Sequence, residues 1–273
     1  SRFRSMKYLT TAQQATIFNT SKPEQTAEYR VFLFQSVVWL MIIVTDAHVS
    51  KGRNNHGAFF EMLATIERTG HDLIFLGDIF DLWIALPDYE RDIHFDFTAW
   101  CRVQKNERTI GFVEGNHEFY LSSQRANDFS WCSNGAWWVD DAGTIFTHGD
   151  QINRKDKKYL VFKKLVKNNL TKILLENLPY GPEFADSIKR GLKKTNKNFR
   201  KQIPRDEIKL FADRRFAEGI TTIFVGHFHQ EYCYQNPDSK KLFALPDWLS
   251  TQKITLYRKN SGQISIQHWK ELV

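Results

Sequence analysis

The sequence predicts an α/β fold with mixed β-sheets, and three observations support this prediction. Five short apolar runs are each bounded by glycine or polar residues, which is typical of buried strands. A helical pattern lies between the first two runs, and runs later in the chain are joined by tight turns. The predicted strands cover residues 37–45, 72–76, 109–113, 143–147 and 221–225.

The connections between these strands indicate both parallel and antiparallel pairing. Apolar residues within 55–70 follow helical spacing and stop before Gly70, so a helix is expected there. A strand, a helix and a further strand in this order form a parallel pair. Within residues 137–147 and again within 254–266, two apolar runs are separated only by a turn, as in antiparallel hairpins.

The composition indicates a folded protein in a reducing environment. The chain has 273 residues, of which 42% are hydrophobic, and this is enough to bury a core. The three cysteines are widely separated, which argues against a disulfide framework and against a cysteine-rich zinc site. The longest apolar run, at 31–44, is shorter than the roughly 20 residues that a transmembrane helix requires. We therefore expect a cytoplasmic protein.

Basic residues are concentrated in one segment of the chain. Residues 154–205 contain 16 basic and 4 acidic residues, whereas the remainder contains 22 basic and 27 acidic residues. This local excess indicates an anionic partner such as phosphate groups, a lipid surface or nucleic acid, and a solvated helical face is the alternative. The predicted organisation is an N-terminal extension at 1–36, a core formed by 37–153 and 206–273, and a basic helical lid inserted at 154–205.

Side chains that bind metal ions follow all five predicted strands. Because the carboxyl ends of strands in an open α/β sheet border one crevice, we expect these side chains to converge. Carboxylate, amide and imidazole ligands without thiolate favour Mn²⁺, Fe or Zn²⁺, and their number indicates two ions. The residues concerned are Asp46, His48, Asp78, Asp81, Asn116, His117, Glu118, His148, Asp150, His227 and His229.

The order of these residues resembles the calcineurin-like metallophosphoesterase superfamily. The series reads Asp-x-His, Gly-Asp-x-x-Asp, Gly-Asn-His-Glu, His and Gly-His-x-His. The resemblance implies a four-layer α/β/β/α sandwich of two mixed sheets, with two divalent metal ions, Mn²⁺ being favoured over Fe or Zn²⁺. One ion would be held by Asp46, His48, Asp78 and His229. The second ion would be held by Asp78, Asn116, His148 and His227.

The same resemblance implies that a hydroxide activated by both ions attacks the phosphorus of a phosphoester. His117 is then expected to stabilise charge on the phosphoryl group or to protonate the leaving group. Asp81 is expected to orient the His117 imidazole through its carboxylate. Glu118 and Asp150 are expected to support the ligands without contacting the ions.

The basic insertion begins with a pattern that predicts one amphipathic helix over residues 156–174. A second basic helical stretch follows at 183–194. The apolar stripe of the first helix either packs against the core or forms a groove for acyl chains that is flanked by cations. In the second case, the predicted substrate contacts are Tyr159, Lys163, Lys167, Lys193 and Lys194.

Within the superfamily, the chain is similar to the UDP-2,3-diacylglucosamine pyrophosphatases of lipid A synthesis. The similarity rests on the Asp-x-x-Tyr-x-x-Phe series from Asp156, the Leu178-Pro179 break and the later Pro246-Asp247-Trp248. It implies a peripheral enzyme on the cytoplasmic face of the inner membrane, with an anionic membrane surface as a partner. Its reaction would convert UDP-2,3-diacylglucosamine, a nucleotide-linked glycolipid, to UMP and 2,3-diacylglucosamine 1-phosphate.

Three positions depart from that family, and a second hypothesis stays open. The chain has His117 where the lipid A enzymes typically have arginine, Phe228 where they commonly have threonine, and Pro246 where glycine is usual. The alternative is a soluble phosphodiesterase or nucleotide phosphatase of the same superfamily. Few aromatic residues are interleaved with the charges of 154–205, so nucleic-acid binding is not favoured.

Overall fold

The computed structural model of the chain describes residues 40–177 and 203–272. The predicted N-terminal extension at 1–36 lies outside the described residues. So do the second basic stretch at 183–194 and its predicted substrate contacts Lys193 and Lys194. Strands and helices of the described ranges are numbered in chain order.

The first sheet is formed by β1 (Met41–Val44), β2 (Asp72–Phe75), β4 (Ile110–Val113), β6 (Trp131–Ser133), β12 (Lys253–Arg258) and β13 (Gln263–His268). The strand order is β13-β12-β1-β2-β4-β6. The strands β1, β2, β4 and β6 are parallel, whereas β12 and β13 add an antiparallel hairpin beside β1. The carboxyl ends of four strands therefore meet at one edge.

The second sheet is formed by β7 (Trp138–Val139), β8 (Thr144–Thr147), β9 (Thr222–Val225), β10 (Tyr232–Gln235) and β11 (Lys241–Ala244). Its order is β10-β11-β9-β8-β7, with a parallel centre of β8, β9 and β11 and antiparallel strands at both edges. A small parallel pair joins β3 (Trp83–Ile84) to β5 (Glu118–Phe119). Both main sheets are mixed, as predicted.

The helices within the described ranges are α1 (His56–Glu67), α2 (Asp92–Gln104), α3 (Leu121–Gln124), α4 (Lys157–Val166), α5 (Asn169–Asn177), α6 (Arg205–Ala217) and α7 (Trp248–Thr251). Within the same ranges, no helix is long and apolar enough to cross a membrane. We call α4 and α5 together the helical pair.

Apolar clusters hold four layers together. Phe59 of α1 and Phe97 of α2 pack on the outer face of the first sheet. Phe146 and Phe224 of the second sheet pack against apolar residues of the first, and Phe216 of α6 covers the far side of the second sheet. Each fully buried phenylalanine contributes roughly 1.5–3 kcal/mol to folding. The order helix, sheet, sheet, helix confirms the predicted α/β/β/α sandwich.

The helical insertion differs from its prediction at one point. One helix was expected through residue 174, but α4 ends at Val166 and α5 begins at Asn169. The side chain of Asn168 accepts a hydrogen bond from the backbone N–H of Thr171 at 2.8 Å, as an N-terminal cap does. Because asparagine competes with the helical backbone for hydrogen bonds, the helix is interrupted here.

Gly111 of β4 is expected to be sensitive to substitution because the Trp131 indole covers it. A Cβ atom at Gly111 would lie 2.1 Å from Cζ2 of Trp131. Since overpacking a core forces its neighbours to move, Gly111→Ala is expected to lower the free energy of unfolding by about 1–3 kcal/mol in urea denaturation. Gly57→Ala in α1 is the control, since nothing lies within 4 Å of its added Cβ. Equal loss of stability in both variants would contradict this account.

Candidate metal centre

The side chains predicted to bind metal follow β1, β2, β4, β8 and β9, and the structure brings them together. Among the described residues, ten other than glycine have a positive φ angle, and half of these are predicted ligands. Such left-handed backbone costs about 1–3 kcal/mol per residue and is found where a site requires it. The five are Asp46 (52°), His48 (43°), Asp78 (52°), His227 (67°) and His229 (54°).

Two glycines let the loops of the centre approach one another. A Cβ at Gly115 would lie 2.2 Å from Oδ1 of Asp78, and a Cβ at Gly226 would lie 2.1 Å from Oγ1 of Thr45. Any side chain at these positions would therefore push the loop after β4 or β9 away from the loop that it contacts. Glycine is therefore needed before Asn116 and before His227 so that neighbouring loops can pack closely, and not only so that the chain can turn.

Asp46, His48 and His229 form the first group, in which the ligand-capable atoms all lie within 4.8 Å of one another. His229 Nε2 is 3.2 Å from Asp46 Oδ1. The other carboxylate oxygen, Oδ2, accepts hydrogen bonds from Thr45 Oγ1 at 2.6 Å and from the backbone N–H of His227 at 2.8 Å. Oδ1 of Asp46 is buried and faces Nε2 of His229, so a cation between these two atoms would have a ligand on each side.

Asp78, His148 and His227 form a second group of the same size. His148 Nδ1 lies 2.7 Å from the carbonyl oxygen of Leu76, so Nδ1 carries the hydrogen and donates it. Nε2 of His148 then faces Asn116 Oδ1 at 3.1 Å, Nδ1 of His227 at 3.2 Å and Asp78 Oδ1 at 3.5 Å. In a neutral ring, this nitrogen lone pair points at two oxygen acceptors. A cation between these atoms resolves the conflict, and the mixed oxygen and nitrogen donors suit a divalent transition metal.

His117 belongs to a third group with His48 and Asp78. Its Nδ1 lies 2.6 Å from the backbone carbonyl of Asp81, and its Nε2 is 3.7 Å from Asp78 Oδ2. The contact that orients the ring thus comes from the main chain of Asp81, whereas the sequence predicted a contact from its carboxylate. That carboxylate accepts hydrogen bonds from Nε and Nη2 of Arg53, at 3.1 and 3.0 Å.

The electrostatics of the centre favour positive charge. Burial lowers the pKa of His148, but the Asp78 carboxylate outweighs this effect and raises that pKa to about 10. His229 is likewise raised to a pKa of about 10, because Asp46 and Asp247 outweigh burial. Burial lowers the pKa of His227 to about 4, and the charge of His148 acts in the same direction. The two buried carboxylates therefore each require a cationic partner, which a proton or a metal ion supplies.

Glu118 joins the loops that carry Asp78 and Asn116. Its Oε2 accepts hydrogen bonds from the backbone N–H groups of Asp78 and Gly115, both at 2.8 Å. Its Oε1 accepts another from Ile79 at 2.9 Å. The side chain is fully buried. Glu118 thus lies behind the predicted ligands Asp78 and Asn116.

The helical pair contacts the centre through residues that were predicted to bind substrate. Lys163 Nζ lies 2.6 Å from Asp150 Oδ2, and the hydroxyl of Tyr159 donates to the same carboxylate oxygen. Burial alone would raise the pKa of the Asp150 carboxyl. The positive charges of Lys163 and His148 outweigh this effect and lower that pKa to about 2. Lys167 Nζ donates to the carbonyl of Gly115 at 2.6 Å. These three side chains thus make contacts within the protein that the sequence did not predict.

Asp247 was noted in the sequence only as part of a motif, and its contact with the centre was missed. Its Oδ1 lies 3.6 Å from Nδ1 of His229, and its Oδ2 accepts from the backbone N–H of Ser250 at 2.7 Å. A carboxylate on the second nitrogen of an imidazole fixes the orientation of that ring. The Pro-Asp-Trp series at 246–248 was the available signal, but nothing in it indicated His229 as the partner.

The family model for calcineurin-like phosphoesterases matches residues 41–256, which is most of the chain. The chain belongs to the calcineurin-like phosphoesterase family. As a member of this family, with imidazole and carboxylate groups positioned for divalent metals, it is a metal-dependent phosphoesterase.

Relatives within the calcineurin-like phosphoesterase family include proteins named UDP-2,3-diacylglucosamine hydrolase. One from Histophilus somni (strain 2336) is 25% identical over 229 residues, covering 81% of this chain and 97% of the relative. One from Actinobacillus succinogenes is 26% identical over 225 residues, covering 77% and 92%. Among solved structures, a dimetal phosphatase from Danio rerio is 11% identical, with a TM-score of 0.43 and coverage of 85% of this chain and 99% of that one.

The Glu118 carboxylate should contribute to stability through its hydrogen bonds to the two ligand loops. Glu118→Gln places an amide donor where an oxygen accepts backbone N–H groups, so the free energy of unfolding is expected to fall by about 1–3 kcal/mol in urea denaturation. Glu107→Gln is the matched control, because the Glu107 side chain is 66% exposed. If both variants unfold at the same urea concentration as the unsubstituted protein, Glu118 does not hold these loops.

Proposed function

We propose that this phosphoesterase hydrolyses the pyrophosphate of UDP-2,3-diacylglucosamine to UMP and 2,3-diacylglucosamine 1-phosphate. The observation that carries the proposal is the position of the helical pair, which contacts the candidate metal centre and exposes apolar side chains. The relatives named UDP-2,3-diacylglucosamine hydrolase, matched over nearly their whole length, support the same reaction.

The proposal assigns the metal ligands as the sequence did. Asp46, His48, Asp78 and His229 would hold one divalent ion, most favourably Mn²⁺, and Asp78, Asn116, His148 and His227 would hold the other. When bound, two such ions supply an acidified water and neutralise charge on the phosphoryl oxygens. The buried Oδ1 of Asp46, which faces His229, and the orientation of His148 towards oxygen atoms support this assignment.

His117 is proposed to act on the phosphoryl group or the leaving group. Because the Asp81 carbonyl lies at Nδ1, this nitrogen holds a hydrogen and Nε2 faces the centre. Nε2 is buried and makes no hydrogen bond within the described residues. In the imidazolium form, Nε2 carries a second proton, which can be donated to the oxygen that leaves or can stabilise the charge of the phosphoryl group.

The helical pair is proposed to contact the acyl chains and the membrane surface. Its outward side chains are strongly exposed, with Leu170 at 81% and Leu165 at 62%. A cluster of exposed apolar side chains marks a surface that meets lipid or a partner. Basic residues of the same segment suit an anionic bilayer. We propose that residues 154–205 form a lid, and that the enzyme is peripheral on the cytoplasmic face of the inner membrane. The exposed apolar residues are Val161, Leu165, Leu170, Ile173 and Leu174.

Substrate preference tests the proposal directly. With Mn²⁺ in detergent, UMP release from UDP-2,3-diacylglucosamine is expected to exceed release from UDP-N-acetylglucosamine, because the acyl chains add apolar contacts to the helical pair. Both rates are measured by chromatography beside the hydrolysis of bis-p-nitrophenyl phosphate. Equal or faster cleavage of the soluble esters would favour the alternative of a soluble phosphodiesterase or nucleotide phosphatase, which His117 in place of arginine supports.

Two substitutions should separate metal binding from turnover. Asp78→Asn removes the charge of the proposed bridging ligand without changing its size, so both metal content and activity are expected to be lost. His117→Ala is expected to retain its metal and to slow turnover by about 10²–10⁴-fold, the usual contribution of a general acid. Metal content is measured by elemental analysis of dialysed protein. An unchanged rate in His117→Ala would contradict the proposed role.

Membrane binding is tested by flotation with phosphatidylglycerol-containing vesicles. The doubly substituted Leu170→Ser/Leu174→Ser protein is expected to lose more than about tenfold in partition coefficient, since burial of each leucine contributes roughly 1.5–3 kcal/mol. Val103→Ser is the matched control, because Val103 is 60% exposed on α2, outside the helical pair. If the unsubstituted protein does not float with the vesicles, the membrane proposal is wrong.

A further inference from the structure

A cleft of about 840 Å³ opens beside Asp81, and none of the predicted metal ligands lines it. Three segments form its walls: 49–53, which follows His48; 81–84, which follows Asp78; and 89–94, which leads into α2. This volume lies within the range of about 300–1,000 Å³ that is typical of small-molecule sites. The lining residues that bear on ligand choice are Lys51, Arg53, Arg91, Ile84, Tyr89 and Ile93.

The cleft is joined to the metal centre through the backbone. The N–H of Val49 donates to the carbonyl of Ile79 at 2.7 Å, and the N–H of Asp81 donates to the carbonyl of Val49 at 3.2 Å. The two loops that leave His48 and Asp78 thus run side by side into the cleft wall. Helix α4, by contrast, bonds to the loops of Gly115 and Asp150. The cleft and α4 therefore contact different loops of the candidate metal centre.

The charge of the cleft favours an anionic ligand. Three basic side chains, those of Lys51, Arg53 and Arg91, line the cleft. Of its two acidic residues, Asp81 already forms an ion pair with Arg53. That pairing uses Nε and Nη2 of Arg53, while an arginine side chain offers five N–H donors in all. Lys51 and Arg91 are exposed at the cleft, without an ion pair to any described residue.

Most apolar side chains of the cleft wall are buried, and Leu82 is half-buried. Ile84, Tyr89 and Ile93 in its wall are each no more than 9% exposed. The exposed apolar surface beside the centre belongs instead to the helical pair, where Leu170, Ile173 and Leu174 are 56–81% exposed. A polar, anionic ligand of modest size fits the cleft better than an acyl chain does.

We propose that this cleft is the subsite for a nucleoside monophosphate, the polar half of the substrate that leaves as UMP. Lys51 and Arg91 bind the anionic nucleotide on the side of its phosphate that faces away from the candidate metal centre, which would hold the phosphate that is attacked. The substrate is then divided at the scissile bond, with its nucleotide in the cleft and its acylated sugar at the helical pair. This inference deepens the proposed function and rests on it for the identity of the nucleotide.

Binding of UMP, measured by calorimetry on Mn²⁺-treated protein, tests the subsite without the lipid. Lys51→Ala/Arg91→Ala is expected to weaken UMP binding at least tenfold, because two cationic contacts are lost. Binding of inorganic phosphate and hydrolysis of bis-p-nitrophenyl phosphate, which need only the metal centre, are expected to change by less than twofold. Lys209→Ala/Arg214→Ala on α6 removes the same charges outside the cleft and is the matched control.

The outcomes separate this inference from the proposed function. Equal UMP affinity in the cleft variant and the control variant would overturn the subsite, and so would a wild-type protein that binds UMP no more tightly than phosphate. If the cleft variant loses UMP affinity while UDP-2,3-diacylglucosamine is not hydrolysed, the subsite stands and the assignment of the lipid substrate fails. Retained hydrolysis of bis-p-nitrophenyl phosphate by the cleft variant excludes a folding defect, and Arg91→Lys, which keeps the charge, is expected to retain most of the UMP affinity.

Discussion

The structure is arranged around two carboxylates, those of Asp46 and Asp78, that are buried where parallel strands end. A buried carboxylate is strongly unfavourable unless it is paired and hydrogen-bonded. Here each one accepts backbone N–H groups from a neighbouring loop, and each faces imidazoles drawn from another strand. The two sheets must therefore stay in register with each other, because the partners of each carboxylate come from both sheets.

The same constraint explains the backbone of the ligand loops. Left-handed conformations are disfavoured for residues with side chains, yet five of them occur at this centre. Hydrogen bonds between the loops hold them, such as that from the N–H of His48 to the carbonyl of Asp78 at 2.9 Å. The core on both faces of the first sheet supplies the stability that offsets this strain.

The sequence predicted the parts of this arrangement that depend on local pattern. Strand ends and their polar residues could be identified because each apolar run is short and is followed at once by ligand-type side chains. The contact of Asp247 with His229 could not be predicted, since it depends on how α7 is placed after a loop. The break at Asn168 was visible in principle, because Asn168 precedes Thr171 at capping distance, but the apolar periodicity of 156–174 overrode that signal. Lys163 could not be paired with Asp150 from the sequence, because the sequence does not show which acidic side chains are buried.

That pairing gives α4 two roles on two of its faces. Tyr159, Lys163 and Lys167 hold the loops behind the metal centre, so changes on this face act on the centre itself whatever the substrate. The opposite face of α4 carries Val161 and Leu165, which are exposed and do not pack against the loops of the centre within the described residues. The outer face of the helix can therefore be altered without disturbing the contacts that its inner face makes to the loops of the candidate metal centre.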